Sequence, residues 1–225
     1  MLEIFNSIMC DMVREVFQNH IVMTDDGHGW FTPGKRSYTE PPFLENEFNS
    51  IVEGKLLLLL DYCGVEHYQI SPGSIDTKLG KRDQYEHKLV LDAKNRGKKA
   101  IGVSIHCDAF DDPKEPKQQN NAHGFCTYYR GKGTKFSIEG RKLARCVSDA
   151  IIQSDKRHGH IVTPRHDHGI RNADFFVLRE FDGDWILIES AFMTNDNDLK
   201  LLQSDRFRNH RALAILQGLY NYVKF

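Results

Sequence analysis

The stretch AIGVSIHCD, residues 100–108, decides the fold class, because an almost continuous apolar run occupies its first six positions. Strands that are buried on both faces have this character, and they belong to parallel sheets covered by helices. Shorter apolar runs of the same kind lie at residues 21–23 and 185–188. We therefore predict that these three segments are buried strands of one sheet.

Helical and extended segments alternate along the remainder of the chain. The spacing of apolar residues predicts helices over residues 45–63, 82–96, 136–153 and 205–223. Further strands are predicted at residues 65–70, 125–129 and 175–178, and a loop rich in His and Arg at residues 155–172. Alternation of this kind predicts a single α/β domain with a mostly parallel, twisted sheet of about six strands and helices on both faces.

Composition excludes several classes of protein. The formal net charge of −1 over 225 residues provides no global field for nucleic acid, and no basic patch stands out. The longest apolar run, residues 56–60, is far too short to span a bilayer. The five cysteines are scattered and odd in number, which argues against a disulfide framework and favours a reduced chain.

The first 19 residues predict an additional amphipathic helix. Apolar side chains recur at helical spacing, including Met9, Met12 and Val16, and acidic residues interrupt any signal-peptide core. We therefore expect synthesis in the cytoplasm without a signal peptide. We also expect residues 1–225 to form one domain, with residues 1–19 added to it.

Residues suited to metal chemistry follow three of the predicted strands. His28 lies in the glycine turn DDGHG after the first strand, His106 ends the strand at 100–105, and Glu189 ends the strand at 185–188. In open α/β sheets, ligands bind outside the carboxyl ends of the strands. Two imidazoles and a carboxylate, with one coordination position left open, are typical of a hydrolytic zinc site.

If Glu189 acts as a base, the third zinc ligand is another acid. Glu45 and Glu47 are the candidates, since both lie at the start of the helix that follows the glycine turn. Glu45 shares the inward stripe of that helix with Phe48 and Val52, whereas Glu47 is offset from it. We favour Glu45 and keep Glu47 as the alternative.

Four ordered motifs resemble the zinc-dependent N-acetylmuramoyl-L-alanine amidases of the type 3 family. They are DDGHGWFTPG at 25–34, ENEFN at 45–49, SIHCDAF at 104–110 and ILIESAFMTN at 186–195. The resemblance implies that His28, Glu45 and His106 bind one Zn²⁺ ion and that Glu189 is the catalytic carboxylate. Asp26, Trp30, Asp108 and Trp185 depart from the family pattern but remove no ligand, so they bear on substrate preference.

The resemblance also implies an activity. Amidases of this family cleave the bond between N-acetylmuramic acid and L-alanine in peptidoglycan, and zinc-activated water with Glu189 as general base accounts for that hydrolysis. Peptidoglycan or muropeptides are thus the expected substrate. We expect residues 1–225 to form a single catalytic domain of this kind, without a cell-wall-binding module. A phage or prophage endolysin that reaches the wall through a holin-type pore is one expected context. The alternatives are a zinc carboxypeptidase or deacylase on another amide, and a non-catalytic zinc-stabilised wall-binding module.

The loop at 155–172 contains two H-x-H pairs. The pairs are His158 with His160 and His166 with His168, and either is able to bind a second metal. Neighbouring arginines favour instead a solvated or substrate-facing loop. We also expect Asp25 and Asp108 to be available as hydrogen-bond acceptors for the histidine ligands.

Overall fold

The structure is a computed structural model that describes residues 7–32, 35–73, 75–111, 113–114, 116–131 and 137–225. The first six positions of the predicted amino-terminal helix lie outside the described residues, as do Pro33 and Gly34 of the glycine turn. Phe136, the predicted start of the fourth helix, also lies outside them.

Six strands form one sheet in the order β2-β1-β3-β6-β4-β5. The strands are β1 His20–Asp25, β2 His67–Gln69, β3 Lys99–Asp108, β4 Cys126–Arg130, β5 Ile170–Ala173 and β6 Asp184–Phe192. Every neighbouring pair is parallel except β4 and β6, which run antiparallel. The predicted α/β class and the mostly parallel six-stranded sheet are confirmed.

Helices cover both faces of the sheet. They are α1 Ser7–Phe17, α2 Glu45–Tyr62, α3 Leu79–Asn95, α4 Ile138–His158, α5 Phe176–Arg179, α6 Asp196–Leu202 and α7 Asp205–Lys224. The larger core cluster joins one face to α1, α2, α4, α6 and α7, and the smaller cluster joins the other face to α3 and α5. Among the described residues, no helix is long and apolar enough to cross a membrane.

Successive side chains of β6 point to opposite faces of the sheet, so this strand contributes to both core clusters. Ile186 and Ile188 belong to the larger core, and Trp185 and Leu187 to the smaller one. Trp185 faces Gly102 of β3, where an added Cβ would lie 2.2 Å from the indole ring. The glycine in the middle of the apolar run is therefore required by the bulk of Trp185.

Helix α1 docks through a face one residue away from the predicted one. Cys10, Val13 and Phe17 are buried in the larger core, whereas Met9 and Met12 are exposed. The helical spacing of the apolar residues is as predicted, but Met9 and Met12 lie outside the surface that packs on the larger core. The amphipathic character predicted for this segment is retained.

The predicted strand at residues 175–178 is wrong, because these residues form most of the short helix α5. A four-residue apolar run fits either a strand or one helical turn, and periodicity does not separate them. The sixth strand is instead β5, which begins inside the predicted loop at 155–172 and ends one residue beyond it. That loop also begins late, since α4 continues to His158 and ends at Gly159 in the left-handed conformation.

Candidate metal centre

The carboxyl ends of β1, β3 and β6 meet at one edge of the sheet, as predicted. His28 lies in the turn three residues after β1, His106 lies within β3, and Glu189 lies within β6. The turn reverses through Gly27 and His28, whose φ angles are +44° and +49°. Glycine tolerates such angles freely, whereas they are costly for an imidazole-bearing residue, so the surroundings must hold His28 in place.

His28, Glu45 and His106 converge so that one ligand atom of each lies within 4.8 Å of the others. His106 Nδ1 is 2.8 Å from Glu45 Oε1, and His28 Nε2 is 3.8 Å from Glu45 Oε2. The two imidazole rings stand nearly perpendicular, with centroids 5.0 Å apart. This group is the only one of three or more His, Cys, Asp or Glu in metal-binding proximity among the described residues.

The first turn of α2 supplies the carboxylate and also holds the histidine turn. Glu45 is the first residue of the helix, and the side chain of Asn46 donates a hydrogen bond of 2.8 Å to the carbonyl oxygen of His28. Glu47 lies elsewhere and accepts a hydrogen bond of 2.8 Å from Arg208 on α7. The structure therefore brings Glu45, and not the alternative Glu47, to the two histidines.

The donor set fits a zinc ion. Glu45 is almost completely buried, yet its Oε2 atom has no hydrogen-bond partner among the described residues. A buried carboxylate oxygen is costly unless it is paired or coordinates a metal. Two imidazoles and one carboxylate are the ligands that zinc takes in hydrolytic sites. A Cβ on Gly27 would lie 2.2 Å from His106 Cε1, so glycine is needed where the turn passes the imidazole.

Electrostatics favour a metal-binding protonation state at His28. Burial lowers the pKa of His28 to about 4, against the opposing charge of Glu45. Burial disfavours ionisation of Glu45, but the hydrogen bond and charge of His106 outweigh that effect and lower the pKa of Glu45. His28 is consequently neutral and Glu45 is ionised near neutral pH, and these are the forms that coordinate metals.

Glu189 is not a member of this group. It is half-buried, and its Oε2 atom has no hydrogen-bond partner in the part of the chain that the structure describes. Burial, together with the charge of Asp108, raises the pKa of Glu189 to about 8. An unpartnered carboxyl group with a raised pKa at the edge of a cleft is suited to taking up and releasing protons.

His28, His106 and Glu189 line one cleft with a volume of about 650 Å³. Phe175 and Phe176 contribute apolar surface to the cleft, and Lys35 also lines it, with its Nζ atom 3.9 Å from Glu45 Oε2. Sequence reasoning missed Lys35 and both phenylalanines. The sequence offered little to identify them: Lys35 directly follows the glycine turn, and the two phenylalanines begin the apolar run at residues 175–178.

A buried ion pair supports the floor of the cleft. Arg82 on α3 is 2.5 Å from Asp25 and 2.7 Å from Asp76, and Asp76 accepts a hydrogen bond from Thr32. Asp25 also accepts from the hydroxyl of Ser104, which lies 3.0 Å from His106 Nε2. The expected contact of Asp25 with a histidine is thus indirect.

Asp108 does not contact either histidine by any hydrogen bond found among the described residues. It accepts a hydrogen bond of 2.7 Å from Arg165, whose guanidinium lies 4.5 Å from the centre of the Phe192 ring. The expectation that Asp108 orients a histidine ligand is therefore wrong. The aspartate instead anchors the segment that precedes β5 to the end of β3.

The histidines of residues 155–172 lie away from the cleft. His158 stacks on His210 of α7 with ring centroids 3.5 Å apart, and His160 Nε2 lies 2.9 Å from His210 Nδ1. His166 and His168 both have positive φ angles, and neither of them lines the cleft. The structure thus joins His158 and His160 to a third histidine that the sequence did not connect with them.

The fold and the site define a class of protein. It is an α/β domain with helices on both faces of its sheet, and a His-Glu-His group and a separate glutamate lie at the C-terminal ends of its parallel strands. The model of the N-acetylmuramoyl-L-alanine amidase family matches residues 22–221. The chain belongs to this family. The predicted family resemblance is confirmed.

Individual relatives agree with that assignment. An uncharacterised cell wall amidase of Bacillus anthracis is 31% identical over 157 residues, covering 68% of this chain and 25% of the relative. The endolysin of Bacillus phage SPP1 is 26% identical over 201 residues, covering 88% of this chain and 64% of the relative. The chain therefore spans less than two thirds of the length of these relatives.

Solved structures place the fold in the same family. The crystal structure of an N-acetylmuramoyl-L-alanine amidase from Clostridium difficile 630 superposes with a TM-score of 0.71 at 26% identity. The match covers 91% of this chain and 97% of that chain. The whole domain, and not only its ligand-bearing edge, is thus similar to that amidase.

Proposed function

We propose that this chain is a zinc-dependent N-acetylmuramoyl-L-alanine amidase. It hydrolyses the amide bond that joins N-acetylmuramic acid to L-alanine in peptidoglycan. The observation that carries the proposal is the convergence of His28, Glu45 and His106 at a cleft that His28 and His106 line together with Glu189, whose Oε2 atom has no partner among the described residues. In this proposal β1–β6 and α2–α7 form the catalytic unit, and α1 is an addition to it.

Each side chain has a distinct task in the hydrolysis. His28, Glu45 and His106 hold one Zn²⁺ ion, which when bound lowers the pKa of water to about 7 and polarises the amide carbonyl. Glu189 takes the proton of the attacking water at Oε2 and delivers it to the nitrogen of the leaving alanine. Asn46 keeps His28 in place through its carbonyl oxygen.

The side chains that line the cleft are complementary to a glycan that carries a peptide. Phe175 and Phe176 offer apolar surface, and Lys35 offers a positive charge to carboxylates of the stem peptide. Arg82 lines the same cleft, but its charge is already neutralised by Asp25 and Asp76. Lys78 also lines the cleft, so Lys35 and Lys78 are the cationic side chains that we assign to substrate carboxylates.

Two other functions use the same ligands. A zinc carboxypeptidase or deacylase acts on a different amide with the same chemistry, and a zinc-stabilised wall-binding module does not cut at all. Glu189 favours catalysis over binding, because a binding module has no use for an unpartnered carboxyl group with a raised pKa. Family membership favours the muramoyl amide over other amides.

The site of action that we propose is the bacterial cell wall. The names of the relatives, a cell wall amidase and a phage endolysin, support it. The similarity to the endolysin supports a phage context, in which the enzyme reaches the wall through a separately made pore.

Digestion of purified peptidoglycan with and without a chelator tests the proposal. We expect release of intact stem peptides with a free alanine amine, abolished by chelation and restored by zinc, with products identified by mass spectrometry. Cleavage of a different amide would favour the carboxypeptidase or deacylase. Stoichiometric zinc without cleavage of any wall would favour the binding module.

A further inference from the structure

Two buried thiols meet where α1 docks on the end of α2. Cys10 Sγ on α1 lies 2.7 Å from Cys63 Sγ, the residue that caps α2. Both side chains are buried, at 4% and 0% exposure. We propose that Cys10 and Cys63, although reduced when the chain is made, form a disulfide bond under oxidising conditions and so tie the first helix covalently to the domain.

The distance between the sulfurs carries the proposal. A disulfide bond is about 2.04 Å long, so the two atoms need to approach by only about 0.7 Å. All five cysteines are free in the structure. Cys107, Cys126 and Cys146 make no contact with another thiol among the hydrogen bonds of the described residues.

Other contacts hold the same junction together. Arg14, one turn after Cys10, donates a hydrogen bond of 3.2 Å from Nε to the carbonyl oxygen of Cys63. Gly64 follows with a φ of +66°, and a Cβ there would lie 2.8 Å from Arg14 Nε. Val13, on the same helix, packs into the larger core. The position of Cys10 over Cys63 is therefore fixed by backbone, side-chain and apolar contacts.

The bond would enclose the segment that carries two of the proposed zinc ligands. The chain between Cys10 and Cys63 contains β1, the turn with His28, and all of α2 including Glu45. A covalent link across such a loop limits the freedom of the unfolded chain and stabilises the folded one. It also prevents α1 from leaving the end of α2.

Oxidation by a small disulfide such as oxidised glutathione accounts for every atom and electron. The Cys10 thiolate attacks the glutathione disulfide, forms a mixed disulfide and releases one glutathione thiol. The Cys63 thiolate then attacks the Cys10 sulfur and releases the second glutathione. The two protein thiols together lose two electrons and two protons, and the glutathione disulfide gains them and becomes two thiols.

Access to the thiols controls the rate of this reaction. Burial and the neighbouring Cys10 raise the pKa of Cys63 to about 12, so thiolate is scarce while α1 is docked. Oxidation should therefore be slow in the folded protein and fast during refolding, before α1 docks. Comparison of oxidation in the folded protein with oxidation during refolding therefore separates two causes of a slow reaction. If access to the thiols is limiting, the bond forms during refolding; if the geometry is unsuitable, it forms in neither condition.

Refolding in a redox buffer tests the bond directly. The reduced chain is diluted from urea into oxidised and reduced glutathione, checked for folding by circular dichroism, and then unfolded again and alkylated with N-ethylmaleimide so that buried thiols also react. We expect intact mass to show three alkylated thiols and the loss of two hydrogens. Proteolysis should yield one linked peptide pair containing Cys10 and Cys63.

Matched variants separate this pair from the other cysteines. Cys146→Ala removes a half-buried thiol on α4 and should leave the linked peptides unchanged, whereas Cys10→Ala and Cys63→Ala should abolish them. The oxidised wild type should melt at a higher temperature than the reduced wild type. A folded wild type with five alkylated thiols, or with a different linked pair, would overturn the proposal even if the alanine variants failed to fold.

Discussion

Glu189 lies directly beside His106, because the two residues occupy paired positions on the adjacent parallel strands β6 and β3. Paired positions of neighbouring strands point to the same face, so the pairing sets where the carboxyl group lies relative to the imidazole. A register slip of one residue would move every side chain of β6 to the opposite face. The relation between the proposed base and a proposed ligand is thus fixed by the core of the sheet.

Glu189→Gln should abolish most of the hydrolysis without loss of zinc. The amide has nearly the same shape as the carboxyl group but does not take up a proton, and removal of a general base typically costs about 10²–10⁴-fold in rate. Activity on muropeptides and zinc content of the same preparation measure the two effects. Glu47→Gln is the matched control, since Glu47 contacts Arg208 away from the cleft. Undiminished activity in Glu189→Gln would remove Glu189 from the mechanism.

Glu45→Gln should weaken zinc binding while Glu47→Gln should not. Changes to groups that merely support a metal ligand already reduce affinity by about 10–100-fold, and loss of a ligand should cost at least as much. Competition with a chromophoric chelator measures the affinity of each variant. Equal affinities for the two variants would be inconsistent with Glu45 as a ligand.

Gly27→Ala should distort the centre, whereas Gly54→Ala should not. The new methyl group at residue 27 would lie 2.2–2.7 Å from three atoms of the His106 ring, on a backbone with a φ of +44°. Gly54, in the interior of α2, has no atom within 4 Å of an added Cβ. We expect Gly27→Ala to lose zinc affinity, measured by the same chelator competition. Gly54→Ala should retain it and gain about 0.5–1 kcal/mol in unfolding free energy.

Sequence patterns identified the proposed centre better than the elements around it. His28, His106 and Glu189 were accessible to prediction because each directly follows or ends an apolar strand, and the topology of parallel strands brings such ends together. The strand β5 was not predicted from the sequence, because Ile170–Ala173 is short, half polar and without alternating burial. The Cys10–Cys63 contact joins a residue of α1 to the residue that caps α2, 53 positions later in the sequence. Local sequence patterns do not predict contacts between residues so far apart in the chain.

Arg82→Met should destabilise the domain strongly. It would leave Asp25 as a buried charge without its cation, and breaking a buried ion pair in this way typically costs about 3–5 kcal/mol. Arg145→Met is the comparison, since Arg145 pairs with Asp149 at the exposed surface of α4, where such pairs contribute at most about 1 kcal/mol. Urea unfolding monitored by circular dichroism measures both variants. Similar losses in the two would show that the Arg82 pair is not the support inferred from its burial.

Glu53→Gln should change how stability depends on pH. Glu53 is buried on α2 and accepts a hydrogen bond from Gln69, and burial together with the charge of Asp26 raises its pKa to about 8. Since the folded state then binds a proton more tightly than the unfolded state, the contribution of Glu53 to stability falls as pH rises from about 4.5 to about 8.

A glutamine in this position does not ionise, so the variant should gain on the wild type across that range, by about 4–5 kcal/mol in unfolding free energy. Urea unfolding of both proteins at pH 5, 7 and 9 measures the difference. Glu15→Gln, which alters an exposed carboxyl group on α1, provides the baseline for a change of charge alone. A difference between Glu53→Gln and the wild type that stays constant from pH 5 to 9 would mean that Glu53 ionises normally in the folded protein.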